Sequence, residues 1–344
     1  MAGRRDISVD VVRGLAILTM VAANVGGMAL EEPHPFWFRL YGTFAAPLFI
    51  MMSGMMVVRT AAATDRGLKY YLVRGGMVML VGVLLDIIVW QIYPFISVDV
   101  LYLIGLSLPI AYLAARTPAV CQWGAALGIV VATPMLQYAL GYADFPREIT
   151  LAGDLTQAPN HVSVLNHWLV DGWFPVFPWL AFSLFGAALG GLRARSNSAA
   201  GFATIRGAGA AFVVLAGGIF LWWQNPGALL TRQGYSELFY PPTIGYILTA
   251  AGVAILAFSF VDLKPALFLY APLQALGEAS LFMYILHLTV GEYVILPITG
   301  KNDRVEFLTI YVVLMAVLIA VAYGLRLGRA QWRSRPFLVR FLIG

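Results

Sequence analysis

Ser8-Val9-Asp10-Val11-Val12-Arg13-Gly14-Leu15-Ala16-Ile17-Leu18-Thr19-Met20-Val21-Ala22-Ala23-Asn24-Val25-Gly26-Gly27-Met28-Ala29 is a run in which one acid, one base and one amide interrupt otherwise apolar or small side chains. A helix of about 20 such residues crosses the roughly 30 Å hydrocarbon core of a bilayer. The block continues to about Leu30 with no small-residue cleavage site after a short apolar core, so it reads as a retained span rather than a signal peptide. Nine further blocks follow, at 41–58, 70–90, 99–115, 120–140, 173–192, 206–223, 241–261, 272–297 and 307–325. The chain is therefore expected to be an all-α polytopic membrane protein with about ten transmembrane helices. The short alternating segments of a β-barrel do not occur in the sequence.

Composition points the same way. Of the 344 residues, 60% are hydrophobic and 11% charged, against roughly 45–50% and roughly 25% in soluble domains. The single cysteine, Cys121, excludes an internal disulfide framework and a multi-cysteine metal site. Histidines and carboxylates lack the close spacing of zinc ligands, so no metal is expected. Neither a Walker-type glycine loop nor a dinucleotide fingerprint is present, which argues against an ATP-driven pump.

Orientation follows from the basic residues. With the N-terminus inside, sixteen of the 22 fall on the cytoplasmic side, and Arg13 lies within the first span. The other five, Arg39, Arg147, Arg232, Lys301 and Arg304, fall outside. Lys and Arg are retained on the cytoplasmic side, so both termini are placed there, in what reads as a bacterial inner (plasma) membrane. The net charge of +5 is then a record of topology and implies no nucleic-acid partner. Trp37, Trp90, Trp168, Trp173, Trp222 and Trp223 fall at predicted outer ends, as interfacial tryptophans do. The longest stretch between spans, about 141–172, is external and too short for a domain of its own. Residues 1–344 thus read as one membrane domain, with that loop as a lid or part of a site.

An ionisable residue inside a span costs about 2.5–3.5 kcal/mol and is a functional candidate by default. Arg13 and Asn24 are eleven positions apart, about three turns, and fall within about 20° of one another. Asp10, three residues before Arg13, shares that side and can pair with it. The first helix so offers a polar track leading outward. Beyond it lies His34, in Leu30-Glu31-Glu32-Pro33-His34-Pro35, about 15 Å from Asn24 if the helix runs straight. Gly26-Gly27 and the flanking prolines allow a bend that brings the imidazole back. Such a group suits taking a proton from an amine or hydroxyl; the alternative is a loop histidine facing water. Asp86 has two readings, a packing bond within the bundle or a site residue. Glu278 and His287 are nine residues apart and on opposite faces of an unbroken helix, so they form no dyad. His287 either lines a cavity or makes an interhelical bond. His167 and Asp171 are spaced for an exposed i,i+4 pair, and His161 has no partner visible in the sequence.

The opening string Arg5-Asp6-Ile7-Ser8-Val9-Asp10-Val11-Val12-Arg13-Gly14-Leu15-Ala16 resembles the signature of a transmembrane acyltransferase superfamily. Within it, the chain is similar to the heparan-α-glucosaminide N-acetyltransferase family and its bacterial YeiB-like relatives. Four later blocks fit in order: Asn24-Val25-Gly26-Gly27 followed by His34; Gly172-Trp173-Phe174-Pro175-Val176-Phe177-Pro178-Trp179; Tyr240-Pro241-Pro242; and Leu276-Gly277-Glu278-Ala279-Ser280-Leu281-Phe282-Met283-Tyr284-Ile285-Leu286-His287. The resemblance implies transfer of an acetyl group from cytoplasmic acetyl-CoA to an amine or hydroxyl of a glycan, or a similar small acceptor, on the other side. It also implies a catalytic histidine after the first helix and an important asparagine before it, which map onto His34 and Asn24. No counterpart of the animal enzyme's additional lumenal domain is expected, so heparan itself does not carry over. From about Leu325 the end resembles the YeiB-like branch without its usual acidic residue.

On this reading Arg13, with Arg4, Arg5 and Arg74, holds the CoA phosphates, since guanidinium forks suit phosphate. Asp10 steadies Arg13, and the pantetheine arm lies along the first helix. His34 acts as base or accepts the acetyl group, and Asn24 orients it or binds the developing oxyanion. The expected partners are acetyl-CoA, the acceptor and the lipid bilayer, with a homodimer as candidate assembly. The competing expectation is a multi-spanning transporter of a small polar solute, in which the same charges line a pathway.

Overall fold

The computed structural model describes residues 6–142, 148–156, 163–195, 205–224, 238–239, 242–332 and 334–343. Arg4, Arg5 and His161 lie outside the described residues. Helix α1 (Ile7–Ala29) is capped by Asp6, whose side chain accepts the Val9 N–H. It is followed by α2 (Phe36–Gly42), α3 (Ala45–Ala63) and α4 (Leu68–Leu85), the last widening into a π turn over Asp86–Trp90. Next come α5 (Val100–Ala115), capped by Asp99, and α6 (Ala119–Leu140). A two-stranded antiparallel hairpin, β1 (Glu148–Ile149) with β2 (Leu155–Thr156), precedes the single turn α7 (Val164–Asn166) and a π turn over His167–Asp171. Then come α8 (Val176–Arg195), α9 (Ile205–Gln224), α10 (Ile244–Leu263), α11 (Ala271–Glu278), α12 (Ser280–Val290), α13 (Leu296–Thr299), α14 (Arg304–Gln331) and α15 (Phe337–Ile343).

Among the described residues nine helical segments are long and apolar enough to cross a membrane, and α5, with 16 residues, is the shorter tenth. Each answers to one of the ten expected spans, and the protein is an all-α polytopic membrane protein. Two spans are less regular than their hydropathy implied. The second is divided at Thr43-Phe44 into α2 and α3. The ninth breaks at Ala279, where φ is −119° and ψ is 33°, so Glu278 and His287 belong to different helices rather than to one unbroken one.

Most of α1 is buried, as expected of a helix apolar on all sides at the centre of a bundle. Its neighbours include α3, α10, α11, α12 and α14. With no hydrophobic drive between helices in lipid, close approach of small residues does the packing. At the α1–α11 crossing a Cβ on Gly14 would run into the Leu273 carbonyl, and one on Gly277 into that of Asp10. Alternation of the spans gathers one set of helix ends around Asp6, the amino-terminal end of the bundle. There Arg193 of α8 bonds both Asp6 and Asp262 of α10, and Arg59 of α3 reaches Asp6 at 2.6 Å. At the far end, Lys301 and Asn302 donate to the last carbonyls of α1, at Gly27 and Ala29. Helix-end carbonyls need such partners. Helix α1 runs unbroken through Gly26-Gly27, without the bend that those glycines would allow.

Candidate functional site

A cavity of about 770 Å³ runs through the middle of the bundle, walled mainly by α1, α3, α4, α5, α12 and the loops at the far end. Its lining includes Arg13, Arg74, Tyr70 and Phe341 near the amino-terminal end, and Asn24, Asp86, Asp99, Glu148 and Trp173 near the far end. Between them lies an apolar waist of Met20, Phe49, Met52, Met56, Val78, Leu101 and Ile104. On α1, Arg13 and Asn24 are separated by about 16 Å of helix axis, and both face this one cavity.

At the amino-terminal end the carboxylates are matched by guanidinium groups. Asp10 and Arg13 make the expected pair at 3.2 Å, and Arg13 also lies 3.4 Å from the Gly277 carbonyl. Glu278, on the cavity wall, is gripped by two arginines of α14, Arg326 at 2.6 Å and Arg329 at 2.7 Å. Arg329 further donates to the Ile343 carbonyl, which brings α15 against the mouth of the cavity. Arg74 lies over the Phe341 ring, 5.7 Å from its centroid. Burial alone would raise the Asp6 carboxyl, but the hydrogen bond and charge of Arg193, joined by Arg59, outweigh it and hold it below the usual range.

The far end uses neutral donors. The Tyr102 hydroxyl donates to Asp86 at 2.5 Å, the Tyr284 hydroxyl lies 3.2 Å from both oxygens of Asp99, and the Trp173 indole donates to Glu148 at 2.7 Å. Asp86, Asp99 and Glu148 are close enough to feel one another's charge. Asp99 precedes α5 and Glu148 lies in the hairpin. Burial pushes both carboxyls above the ordinary range, against the hydrogen bonds they accept.

Asn24 and His34 are not brought together. The His34 ring is buried, 7% exposed, with Nε2 3.3 Å from the Leu30 carbonyl and its edge toward Phe38, and it is absent from the cavity lining. Asn24 instead meets His287, Nδ2 to Nε2 at 3.0 Å. The other ring nitrogen of His287, Nδ1, is 2.9 Å from the Met283 carbonyl and so carries the proton, which leaves Nε2 to accept from the Asn24 amide. Of the two readings of His287, the interhelical bond is therefore observed. Asp86 has both its packing bond and a place on the cavity wall. His167 and Asp171 do pair, at 2.8 Å, yet they are buried at 1% and 0% exposure, correcting the expected exposed pair. Their fixed place on a π turn between α6 and α8 explains it.

Asp99, Glu148 and Tyr284 escape the sequence reading. Asp99 looks like a helix cap, which it also is, and nothing local marks Glu148 or Tyr284 as facing a cavity.

A family model described as heparan-alpha-glucosaminide N-acetyltransferase, catalytic, matches residues 5–224. No curated relative matches the sequence. The match covers well over half of the chain and includes α1 with Asn24 and His34. The chain belongs to the heparan-alpha-glucosaminide N-acetyltransferase catalytic family, a family of membrane acetyltransferases.

Proposed function

We propose that the protein takes an acetyl group from cytoplasmic acetyl-CoA and passes it, within the cavity, to an amine on the opposite side of the membrane. The observation that carries this reading is one cavity with a guanidinium-bearing end, an apolar waist and a carboxylate-bearing end, in a member of an acetyltransferase family. Arg13 and Arg74 offer planar forks to the phosphates of CoA. The waist takes the pantetheine arm and delivers the thioester toward Asn24. With one amide N–H held by His287, the second is available to the thioester carbonyl, where charge develops as the acceptor attacks. The three far-end carboxylates favour a cationic acceptor, hence an amine of an amino sugar or similar molecule rather than a neutral hydroxyl. The positive-inside bias supports a cytoplasmic amino-terminal end.

His34 acts here as general base or transient acetyl carrier, as the family resemblance implies. That role requires its ring to leave the Leu30 carbonyl and Phe38 and turn toward Asn24. A transporter would use the same cavity to pass a whole solute, and would have no need to bind acetyl-CoA.

The test is a reconstituted vesicle with acetyl-CoA supplied outside and glucosamine enclosed. N-acetylglucosamine is expected to accumulate inside, and calorimetry on the purified chain is expected to register acetyl-CoA binding. His34→Ala should keep that binding and lose transfer by about 10²–10⁴-fold. Undetectable acetyl-CoA binding would overturn the proposal, and full transfer by His34→Ala would remove His34 from it.

A further inference from the structure

Asp99 is both the N-cap of α5 and part of the cavity wall. The Leu101 N–H donates to its Oδ1 at 3.0 Å, and the Tyr284 hydroxyl reaches both of its oxygens. The Tyr284 ring stands edge-on to His287 with centroids 5.6 Å apart, and His287 in turn holds Asn24. A single run of contacts therefore ties Asp99 to the amide assigned above to the thioester carbonyl. We infer that Asp99 takes the first proton from a protonated amine acceptor, converting the ammonium ion into the nucleophile, while Tyr284 positions the carboxylate. This inference rests on the acetyltransferase reading and adds a catalytic group that neither the motif nor the family match supplies.

The need for such a group follows from the chemistry. An ammonium nitrogen has no lone pair and cannot attack a carbonyl. The Asp99 carboxylate accepts one N–H proton, leaving R–NH2. The freed pair forms the C–N bond, and the carbonyl π electrons move to oxygen beside Asn24. Collapse of that adduct breaks the C–S bond, and the second nitrogen proton passes by way of His34, the base proposed above, to the departing sulfur to give CoA thiol. Asp99 then releases its proton to water at the far end. The sum is acetyl-CoA plus R–NH3+ giving the acetamide, CoA thiol and one proton, with nothing oxidised or reduced.

The surroundings of Asp99 suit a proton acceptor. Among the described residues, Tyr284 of α12 bonds it, and Tyr102 of α5, Asp86 of the π turn after α4 and Glu148 of the hairpin lie within reach of its charge. Carboxylates and phenols leave its basicity intact, whereas a guanidinium partner such as that of Asp6 would suppress it. Burial that raises the Asp99 carboxyl acts in the same direction.

The experiment measures kcat/KM for glucosamine against pH, with acetyl-CoA saturating and the purified full chain in detergent. Asp99→Asn is expected to lower the neutral-pH value by about 100-fold or more, with the acetyl-CoA Kd unchanged. Below the amine's own pKa the residual rate should climb about tenfold per pH unit, following the neutral-amine fraction, over the range where the wild type is flat. Tyr284→Phe keeps the ring but removes a hydrogen bond that favours the ionised carboxylate, so the acid limb should move to higher pH. A loss in Asp99→Asn by the same factor at every pH would indicate a structural role and overturn the inference, as would wild-type rates in that variant. If Asp99→Asn does not fold, the Tyr284→Phe profile decides, and an unmoved acid limb overturns the proposal. A wild-type protein that makes no N-acetylglucosamine fails the acetyltransferase reading itself; active wild type with indifferent Asp99→Asn fails this inference alone.

Discussion

The two ends of the cavity handle negative charge in opposite ways. Near Asp6 the carboxylates meet guanidinium groups: Asp10 with Arg13, Asp6 and Asp262 with Arg193, Glu278 with Arg326 and Arg329. At the far end Asp86, Asp99 and Glu148 meet phenol and indole donors. A guanidinium partner cancels a charge, whereas a phenol or indole only solvates it. The first arrangement locks helices together and leaves basic groups such as Arg74 at the mouth. The second preserves a negative field inside a cavity with low-dielectric walls, which attracts a cation. One cavity thereby has an end suited to phosphate and an end suited to an ammonium ion, which is the arrangement the proposed reaction calls for.

This contrast is broken most severely by removing a cancelled charge. Glu278→Ala removes the carboxylate shared by Arg326 and Arg329 and leaves Arg329 only its backbone acceptors at Glu278 and Ile343, and losing one partner of a buried pair costs up to about 3–5 kcal/mol. Thermal unfolding in detergent should show a large fall in Tm, whereas Asp99→Asn, which keeps an oxygen for both the Leu101 N–H and the Tyr284 hydroxyl, should leave Tm nearly in place. Equal losses from the two would mean that the far end is a structural network too. Next in size is Asn24→Ala, which removes the proposed donor to the thioester oxygen. A drop of about 10²–10³-fold in kcat is expected, as for loss of one oxyanion donor, with the acetyl-CoA Kd held within a small factor. A change in Kd alone would place Asn24 in ground-state binding.

How legible these two ends were in the sequence depends on what each feature required. A span needs about twenty apolar residues in a row, so the ten spans are visible without any contact being known. The Asp10–Arg13 pair and the shared face of Arg13 and Asn24 follow from helical periodicity alone, and both are found. The His167–Asp171 spacing gave the pair but not its burial, because burial depends on α6 and α8 closing around it. Glu278 finds its partners about fifty residues away on α14, a distance no periodicity reaches. Asn24 pairs with His287, 263 residues away, while α1 runs straight to Ala29, where Lys301 and Asn302 meet its last carbonyls, and no local spacing announces either contact. Asp99 and Glu148 were hidden for a different reason: an acid before a helix or in a loop is ordinary, and only the folded cavity makes it otherwise.

The smallest expected effect separates charge from hydrogen bonding at the far end. Glu148→Gln keeps an oxygen for the Trp173 indole but removes the charge that faces Asp99. In the wild type the folded-state pKa of Glu148 lies above its unfolded value, through burial first and the Asp99 charge in support. The sign is therefore unfavourable to the ionised form: stability declines as pH rises from the ordinary carboxyl range through the raised folded value, and the penalty persists above it. The variant should match the wild type in acid and exceed it at neutral pH by a Tm gain on the order of 1 °C. If Glu148 also draws in an ammonium ion, KM for glucosamine should rise about two- to fivefold, the size of a solvent-screened charge contact, while kcat stays unchanged. A Tm gain without the KM change would confine the acceptor's cationic contact to Asp86 and Asp99. A Tm loss would mean that the Trp173 bond needs the full carboxylate, and that the far end is held together by its charges after all.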